Sequence, residues 1–225
     1  WLEAFADGFF GLARTHQVEL IGGDTTCGPL NVCVTIIGEV ATGKALRRSG
    51  ARPGDDIWVS GQLGDAALAL AHAQQRIALE PGEVQACLPA LHMPTARVEL
   101  GQCLIGLARS AIDISDGLLA DLGHILECSK VAAVIEMNAI KRSAVMEKYL
   151  PQPMAINCLL AAGDDYELCF TAPRAKYGKI ESLSRELDIP LTRIGRISQG
   201  EGLVVLDAAG KSIELGTRGY DHFRV

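Results

Sequence analysis

The stretch AIDISDGLLADLGHILECSKVAAVIE, residues 111–136, decides the fold of this chain. It begins as an apolar strand pattern that ends in two carboxylates, a hydroxyl and a glycine, at Asp113, Ser115, Asp116 and Gly117. Apolar residues then recur at helical spacing, at Leu118, Leu122, Ile125 and Leu126. A second apolar strand pattern follows over residues 131–137. The order strand, turn, helix, strand predicts an α/β or α+β protein.

The rest of the chain repeats this alternation. Helical spacing predicts helices over residues 2–14, after the glycine-rich turn near residue 64, from about 97 to 108, and around 177–187. Strands are predicted at 18–21, 30–40 and 166–171, with three short strands ending near Leu215. Prolines at 81, 89 and 94 predict an irregular segment. The expected architecture is two-layered, with helices packed on mixed sheets.

Composition limits the classes of protein to consider. The chain has 225 residues, 48% of them hydrophobic, and a net charge of −6, which disfavours a nucleic-acid partner. Its apolar runs are too short to span a bilayer. The seven cysteines form no C-x-x-C pair and several lie in apolar patterns such as NVCVTII (31–37) and YELCFTA (166–172), which indicates reduced thiols in a cytoplasmic core. The five histidines have no zinc-ligand spacing.

Three apolar segments end in small residues and carboxylates: LIGGDTT (20–26), AIDISDG (111–117) and LAAGDDYEL (160–168). Each alone is an ordinary turn, and Asp116 could cap the helix that follows it. Together, carboxylates without compensating cations favour a bound cation, and Mg²⁺ prefers such oxygen ligands. The sequence leaves open whether the three turns meet in space.

Other polar residues allow two interpretations. The arginines in GKALRRSGARPGDD (43–56) form either a solvated linker at a domain boundary or a phosphate clamp, since guanidinium groups match phosphate oxygens two at a time. Ser115 lacks the surroundings of a hydrolase nucleophile. His124 and Asp121 are interpreted as a surface pair on one helix. Tyr220 in the terminal GYDHF is either a packed tail or a ring that stacks on a ligand.

These motifs, taken in order with LRRSGARPGD (46–55), resemble those of the thiamine-monophosphate kinases, a family within the aminoimidazole-ribonucleotide-synthetase-like superfamily. The resemblance covers essentially the whole chain. It implies ATP-dependent phosphorylation of thiamine monophosphate to thiamine diphosphate, by direct in-line transfer with several Mg²⁺ ions and no protein nucleophile. It also implies a cytoplasmic homodimer that forms through the N-terminal domain.

The resemblance implies a role for each matching residue. The expected nucleotide contacts are Gly23, Asp24, Arg48 and Ser115. The expected metal ligands are Asp24, Asp113 and Asp116. The expected contacts to thiamine monophosphate are Glu167 and Tyr220. Two departures from the family pattern, Ala162 and the segment MPTAR (93–97), do not fall on any of these residues.

By the same resemblance, residues 1–46 are the C-terminal part of an ATP-binding and dimerisation domain, and residues 54–225 are a complete C-terminal α/β domain. Family members carry a further N-terminal segment of about a hundred residues, which this sequence does not include. Two alternatives stay open. One is another ATP-dependent synthetase of the superfamily, similar to selenophosphate synthetase, and the other is an inactive truncated remnant that dimerises or binds metal.

Overall fold

A computed structural model of the chain describes residues 1–214 and residue 219. The described residues divide into two compact units, one of residues 1–41 and one that begins at residue 42. None of the helices in this described part has the length and apolar character that crossing a bilayer requires.

The first unit contains one helix, α1 (Leu2–Thr15), which confirms the helix predicted over residues 2–14. The strands predicted at 18–21 and 30–40 are wrong, because residues 16–41 are all described and contain no strand. A strand needs a partner for its backbone N–H and C=O groups, and this unit offers none. The apolar side chains of that region stay exposed, with Ile21 at 83% and Ile37 at 77% of full exposure.

The second unit is built on a mixed sheet of six strands. The strands are β1 (Asp55–Ser60), β2 (Ser110–Asp113), β3 (Ala132–Glu136), β4 (Leu168–Pro173), β5 (Leu191–Ser198) and β6 (Gly202–Leu206). Their order in the sheet is β2-β4-β1-β5-β3-β6, and neighbouring strands are antiparallel except β3 and β6, which are parallel. Of the third short strand expected near Leu215, residues up to 214 are described, and these form a single bridge between Leu206 and Ser212.

Helices follow most strands of this sheet. They are α2 (Asp65–Ala73), α3 (Pro81–His92), α4 (Val98–Cys103), α5 (Leu118–Ser129), α6 (Ala144–Tyr149), α7 (Pro153–Leu160) and α8 (Tyr177–Glu186), with short 3₁₀ turns at Met137–Ala139 and Arg174–Lys176. The alternation confirms the α/β class. The helix expected to run to residue 108 is shorter, ending at Cys103.

The irregular segment predicted from the prolines is wrong, since two of them lie in helix α3. Pro81 occupies the first turn, where a backbone N–H has no helical partner to lose. Glu80 and Glu83 form a reciprocal capping box around that turn. Pro89 lies inside the helix, one turn before its end.

The sheet separates two apolar clusters, because successive residues of β1 point to opposite faces. Ile57 and Val59 belong to the larger cluster, which includes the buried faces of α2, α5 and α7. Trp58 belongs to the smaller one, where its ring stacks on Phe170 with 6.4 Å between centroids, under residues of α4 and α8. Helices therefore cover part of both faces.

All seven cysteines are free thiols, so their reactivity can report which of them are buried in the core. Cys169 in YELCFTA is buried as expected, whereas Cys33 in NVCVTII is exposed. Burial raises the pKa of the Cys87 and Cys169 thiols to about 12 and that of the Cys158 thiol to about 11. The thiolate is the reactive form, and buried thiols are also shielded from reagents.

We expect four thiols to react readily with a thiol-specific reagent at pH 8, and three to react only after unfolding. The four are Cys27, Cys33, Cys103 and Cys128, and the three are Cys87, Cys158 and Cys169. Mass spectrometry of the labelled peptides, with and without guanidinium chloride, identifies each group. Rapid native labelling of Cys169 would contradict the packing described here.

Candidate active site

Two of the three carboxylate turns lie side by side and are joined through their backbones. The amide of Ile114 donates to the Glu167 carbonyl at 2.8 Å, and the Tyr166 amide donates to the Ile114 carbonyl at 2.8 Å. The Asp164 amide donates to the Ser115 carbonyl at 3.0 Å. These bonds continue the β2–β4 pairing beyond the ends of the strands. The first loop (113–117), which begins at the last residue of β2, and the second loop (161–167) therefore form one structure.

Glycines allow the two loops to approach this closely. A Cβ at Gly163 would lie 1.8 Å from the Ser115 carbonyl oxygen. A Cβ at Gly117 would lie 2.7 Å from the carbonyl carbon of Ala161, and Gly117 has a φ of +114°, which other residues rarely adopt. No side chain can be added at either position without moving backbone.

Asp121 anchors the first loop from the helix that follows it. Its Oδ2 accepts hydrogen bonds from the backbone amides of Ser115 and Asp116, both at 3.0 Å. The residue is 3% exposed, and burial raises the pKa of its carboxyl. The interpretation of Asp121 as the surface partner of His124 is therefore wrong, since His124 instead lies 3.8 Å from Glu127.

The second loop contains two non-glycine residues in the left-handed region, Asp164 with φ +68° and Tyr166 with φ +52°. Such a conformation is costly for a bulky residue such as tyrosine. The Tyr166 side chain emerges 43% exposed. Partial burial raises the pKa of its phenol, and the charges of Asp164, Asp113 and Asp116 raise it further. Carboxylates of both loops therefore influence the pKa of the same phenol, that of Tyr166.

The oxygen donors of the first loop suit Mg²⁺. Asp113 is exposed at the end of β2, and Ser115 and Asp116 are half-buried. No group of three or more His, Cys, Asp or Glu side chains arranged to hold a metal is found in residues 1–214 and 219. Mg²⁺ in phosphate-binding sites needs only one or two protein carboxylates, because substrate phosphate and water supply the other ligands. The donor set fits that mode of binding.

Glu167 is held by two side chains distant in sequence. Arg97 Nε donates to Oε2 at 2.8 Å, and Arg97 Nη2 donates to Oε1 at 2.5 Å. The buried Ser60 hydroxyl also donates to Oε2 and accepts a bond from the Leu168 amide at 2.9 Å. Glu167 itself is 6% exposed. MPTAR contains none of the residues that the resemblance assigns to ligands, yet its arginine, Arg97, contacts one of them.

Asp165 is the other buried acid of the second loop. Its Oδ1 accepts a bond from the Gly64 amide at 2.8 Å, next to the start of α2. Its Oδ2 is buried with no hydrogen-bond partner among the described residues. Burial raises the pKa of this carboxyl well above its usual value, and the neighbouring charges of Glu167, Asp65 and Asp164 add to the shift.

We expect Asp165→Asn to increase the free energy of unfolding at pH 7, by about 2 kcal/mol, because a buried unpaired carboxylate is costly. Because the pKa of Asp165 is higher in the folded than in the unfolded state, its protonation stabilises the fold. This contribution is complete below about pH 4 and is lost as pH rises through the folded-state pKa. The difference between variant and wild type should therefore shrink towards pH 4. Urea titrations from pH 4 to pH 8 measure it. The exposed Glu201→Gln is the control, and a variant less stable than wild type at pH 7 would contradict the prediction.

The remaining predicted residues lie in other places. Arg48 is exposed, and its segment runs along the outer edge of β2, where the Arg47 carbonyl accepts a bond from the Ala111 amide at 3.1 Å. Gly23 and Asp24 belong to the first unit, where both are exposed and the Asp24 carboxylate accepts from the Thr25 amide at 2.8 Å. Tyr220 lies outside the described residues.

A separate cavity of about 520 Å³ lies beside α8 and β5. Its lining includes the buried carboxylate of Asp56, to which Arg193 Nε donates at 2.8 Å and near which Arg196 lies at 3.8 Å. The lining carries three arginines, Arg174, Arg193 and Arg196, against two acids, Asp56 and Glu181, so it has a formal surplus of one positive charge. The Arg193–Asp56 pair resembles the Arg97–Glu167 pair, since in each an arginine donates to a buried carboxylate.

Comparison with known proteins identifies a matching family model and similar proteins. Residues 52–208 match the family model described as AIR synthase related protein, C-terminal domain. The chain is 42% identical to thiamine-monophosphate kinase from Salmonella typhimurium, over 99% of the chain and 69% of the relative.

Solved structures agree with this match. The crystal structure of thiamine-monophosphate kinase from Stenotrophomonas maltophilia K279a is 46% identical, with a TM-score of 0.84 over 95% of this chain and 68% of that one. AaThiL complexed with AMPPCP and TMP is 31% identical, with a TM-score of 0.62 over 79% of this chain and 54% of that one.

Proposed function

The chain belongs to the family of thiamine-monophosphate kinases, and from this membership we propose that it transfers a phosphoryl group from ATP to thiamine monophosphate, forming thiamine diphosphate. One observation of the structure carries the proposal. The loop with Asp113, Ser115 and Asp116 is bonded through its backbone to the loop with Glu167, which supports a site that uses residues of both loops.

Phosphoryl transfer requires little covalent chemistry from a protein. It requires that the donor and acceptor phosphates be oriented and that their charge be neutralised, which agrees with a site that has polar loops and no hydrolase-type nucleophile. In the proposed site Asp113 and Asp116 would hold Mg²⁺. The family resemblance separately implies that Asp24 is also a metal ligand. When bound, the ion supplies positive charge against the phosphate oxygens.

The other predicted residues receive their roles in the same proposal. Gly23, Asp24, Arg48 and Ser115 contact ATP. Two of these have supporting features in the structure: the Ser115 backbone is fixed by Asp121, and the Arg48 segment lies along the strand that ends at Asp113. On the thiamine side, the proposed contacts are Glu167 and Tyr220.

The domain and assembly expectations also remain proposals. We propose that residues 1–46 are part of an ATP-binding and dimerisation domain, and that residues 54–225 are the C-terminal domain of a cytoplasmic homodimer. The exposed apolar side chains of residues 18–40 support an interface in that region. The free cysteines support a reducing compartment, and the net charge of −6 supports a protein without nucleic-acid partners.

The experiment is to incubate the purified protein with thiamine monophosphate, ATP and Mg²⁺ and to measure thiamine diphosphate by chromatography. We expect one diphosphate per ADP formed, and no product when a chelator removes Mg²⁺. ATP consumption without diphosphate would favour a different acceptor, as in the synthetase alternative. Calorimetry that detects binding of neither ATP nor thiamine monophosphate would favour the inactive remnant.

A further inference from the structure

The carboxylate of Glu167 lies in a fitted pocket made by Ser60, Gly61 and Arg97, which we term the Glu167 cradle. The three residues come from the end of β1 and from the segment before α4. Arg97 binds both oxygens, and Ser60 binds Oε2. At Gly61, with φ +62°, a Cβ would lie 1.9 Å from Oε1, so only glycine leaves room for the carboxylate.

The cradle limits what Glu167 can still bind. A carboxylate has about four lone-pair sites. In the cradle the two bonds from Arg97 and the one from Ser60 occupy three of them. The guanidinium, whose side chain is 19% exposed, also compensates the negative charge. About one acceptor site is then left, in a fixed direction, for a hydrogen-bond donor outside the cradle.

We propose that Arg97 is a positioning residue of the active site, which orients the Glu167 carboxylate so that it offers a single hydrogen-bond acceptor to thiamine monophosphate. The inference rests on the proposed function and deepens it. Arg97 does not itself contact substrate. It acts through Glu167, whose carbonyl accepts the Ile114 amide at 2.8 Å and whose backbone is thereby fixed to the loop of the predicted metal ligands.

Arg97→Lys is the sharpest variant, because lysine keeps the positive charge but cannot bond both carboxylate oxygens as a planar fork. Arg193→Lys is its matched control. That arginine also donates to a buried carboxylate on the same sheet, Asp56 at 2.8 Å, and lies outside the proposed site. Arg193 makes one bond to its carboxylate where Arg97 makes two, so we expect Arg193→Lys to lower the thermal midpoint by no more than Arg97→Lys does.

The measurement is KM for each substrate, together with kcat and the thermal midpoint, for wild type and both variants. We expect Arg97→Lys to raise KM for thiamine monophosphate about tenfold, the cost of one lost charge-assisted bond, and to change KM for ATP less than twofold. Arg193→Lys should change neither KM by more than twofold. The pair Arg97→Lys with Glu167→Gln should be no worse than the more impaired single variant, because both act on one contact.

The outcomes separate this inference from the proposed function. If wild type makes thiamine diphosphate and Arg97→Lys alters both KM values equally, or only the thermal midpoint, Arg97 is merely structural and the inference is wrong. If the effects of Arg97→Lys and Glu167→Gln on KM were additive in the double variant, the inference would also be wrong. If wild type makes no diphosphate, the proposed function fails and the inference fails with it.

Discussion

Asp113→Asn should lower the rate of thiamine diphosphate formation by about 100-fold, the usual scale for removing one charge-stabilising group from an active site. The same change should alter the free energy of unfolding by less than about 0.5 kcal/mol, because Asp113 is exposed at the end of β2. Asp116→Asn should have a comparable effect on rate. Steady-state turnover at several Mg²⁺ concentrations, with urea unfolding of the same samples, measures both quantities.

The matched control is Glu136→Gln. Glu136 is also an exposed carboxylate at the last position of a strand, β3, but it does not belong to either loop of the site. It should change neither turnover nor stability. A loss of stability in Asp113→Asn as large as its loss of activity would favour the alternative that these acids are turn and capping residues only.

Gly163→Ala should have the largest effect on the fold of the site. The added Cβ would lie 1.8 Å from the Ser115 carbonyl oxygen, and both partners are backbone, so the two loops must separate. We expect the free energy of unfolding to fall by about 3 kcal/mol, at the upper end of the range for overpacking. Turnover should become undetectable, because separating the loops moves the Asp113 and Asp116 loop away from Glu167.

Gly123→Ala is the control for this change. Gly123 lies inside α5, and a Cβ there would meet nothing within 4 Å. Alanine favours a helix over glycine, so this variant should gain roughly 0.5–1 kcal/mol. If Gly163→Ala matched wild type in both stability and turnover, the close contact of the two loops would not exist in solution.

Local periodicity accounts for the elements that sequence reasoning predicted well. The apolar spacing of Leu118, Leu122 and Ile125 predicted α5, and the same rule predicted α1 and α8. The β-branched run at 30–40 failed because strand propensity is expressed only where a partner strand supplies hydrogen bonds. Helix α3 was missed because prolines were treated as helix breakers without regard to position. Pro81 in fact lies at the first helical position, between the two residues of the capping box, Glu80 and Glu83.

Some residues of the candidate site could be predicted from the sequence and others could not. Asp113, Ser115, Asp116 and Glu167 could be selected from motifs. Arg97 could not, because its partner lies 70 residues away and no local pattern marks the pair. Asp121 carried a weak signal, a carboxylate in the first turn of a helix that follows a polar loop, which is a common way to bind free backbone amides.

The long separation between the partners in the Glu167 cradle has a consequence for how the protein folds. Ser60 meets Glu167 across 107 residues, and Arg97 meets it across 70. Closing such loops costs entropy before any contact repays it, so the site forms at a late, high-contact-order step. During synthesis at about 5–20 residues per second, residues 1–166 leave the ribosome before the carboxylate that completes the cradle. The cradle therefore cannot close before residue 167 has been synthesised, although Ser60 and Arg97 are present well before it.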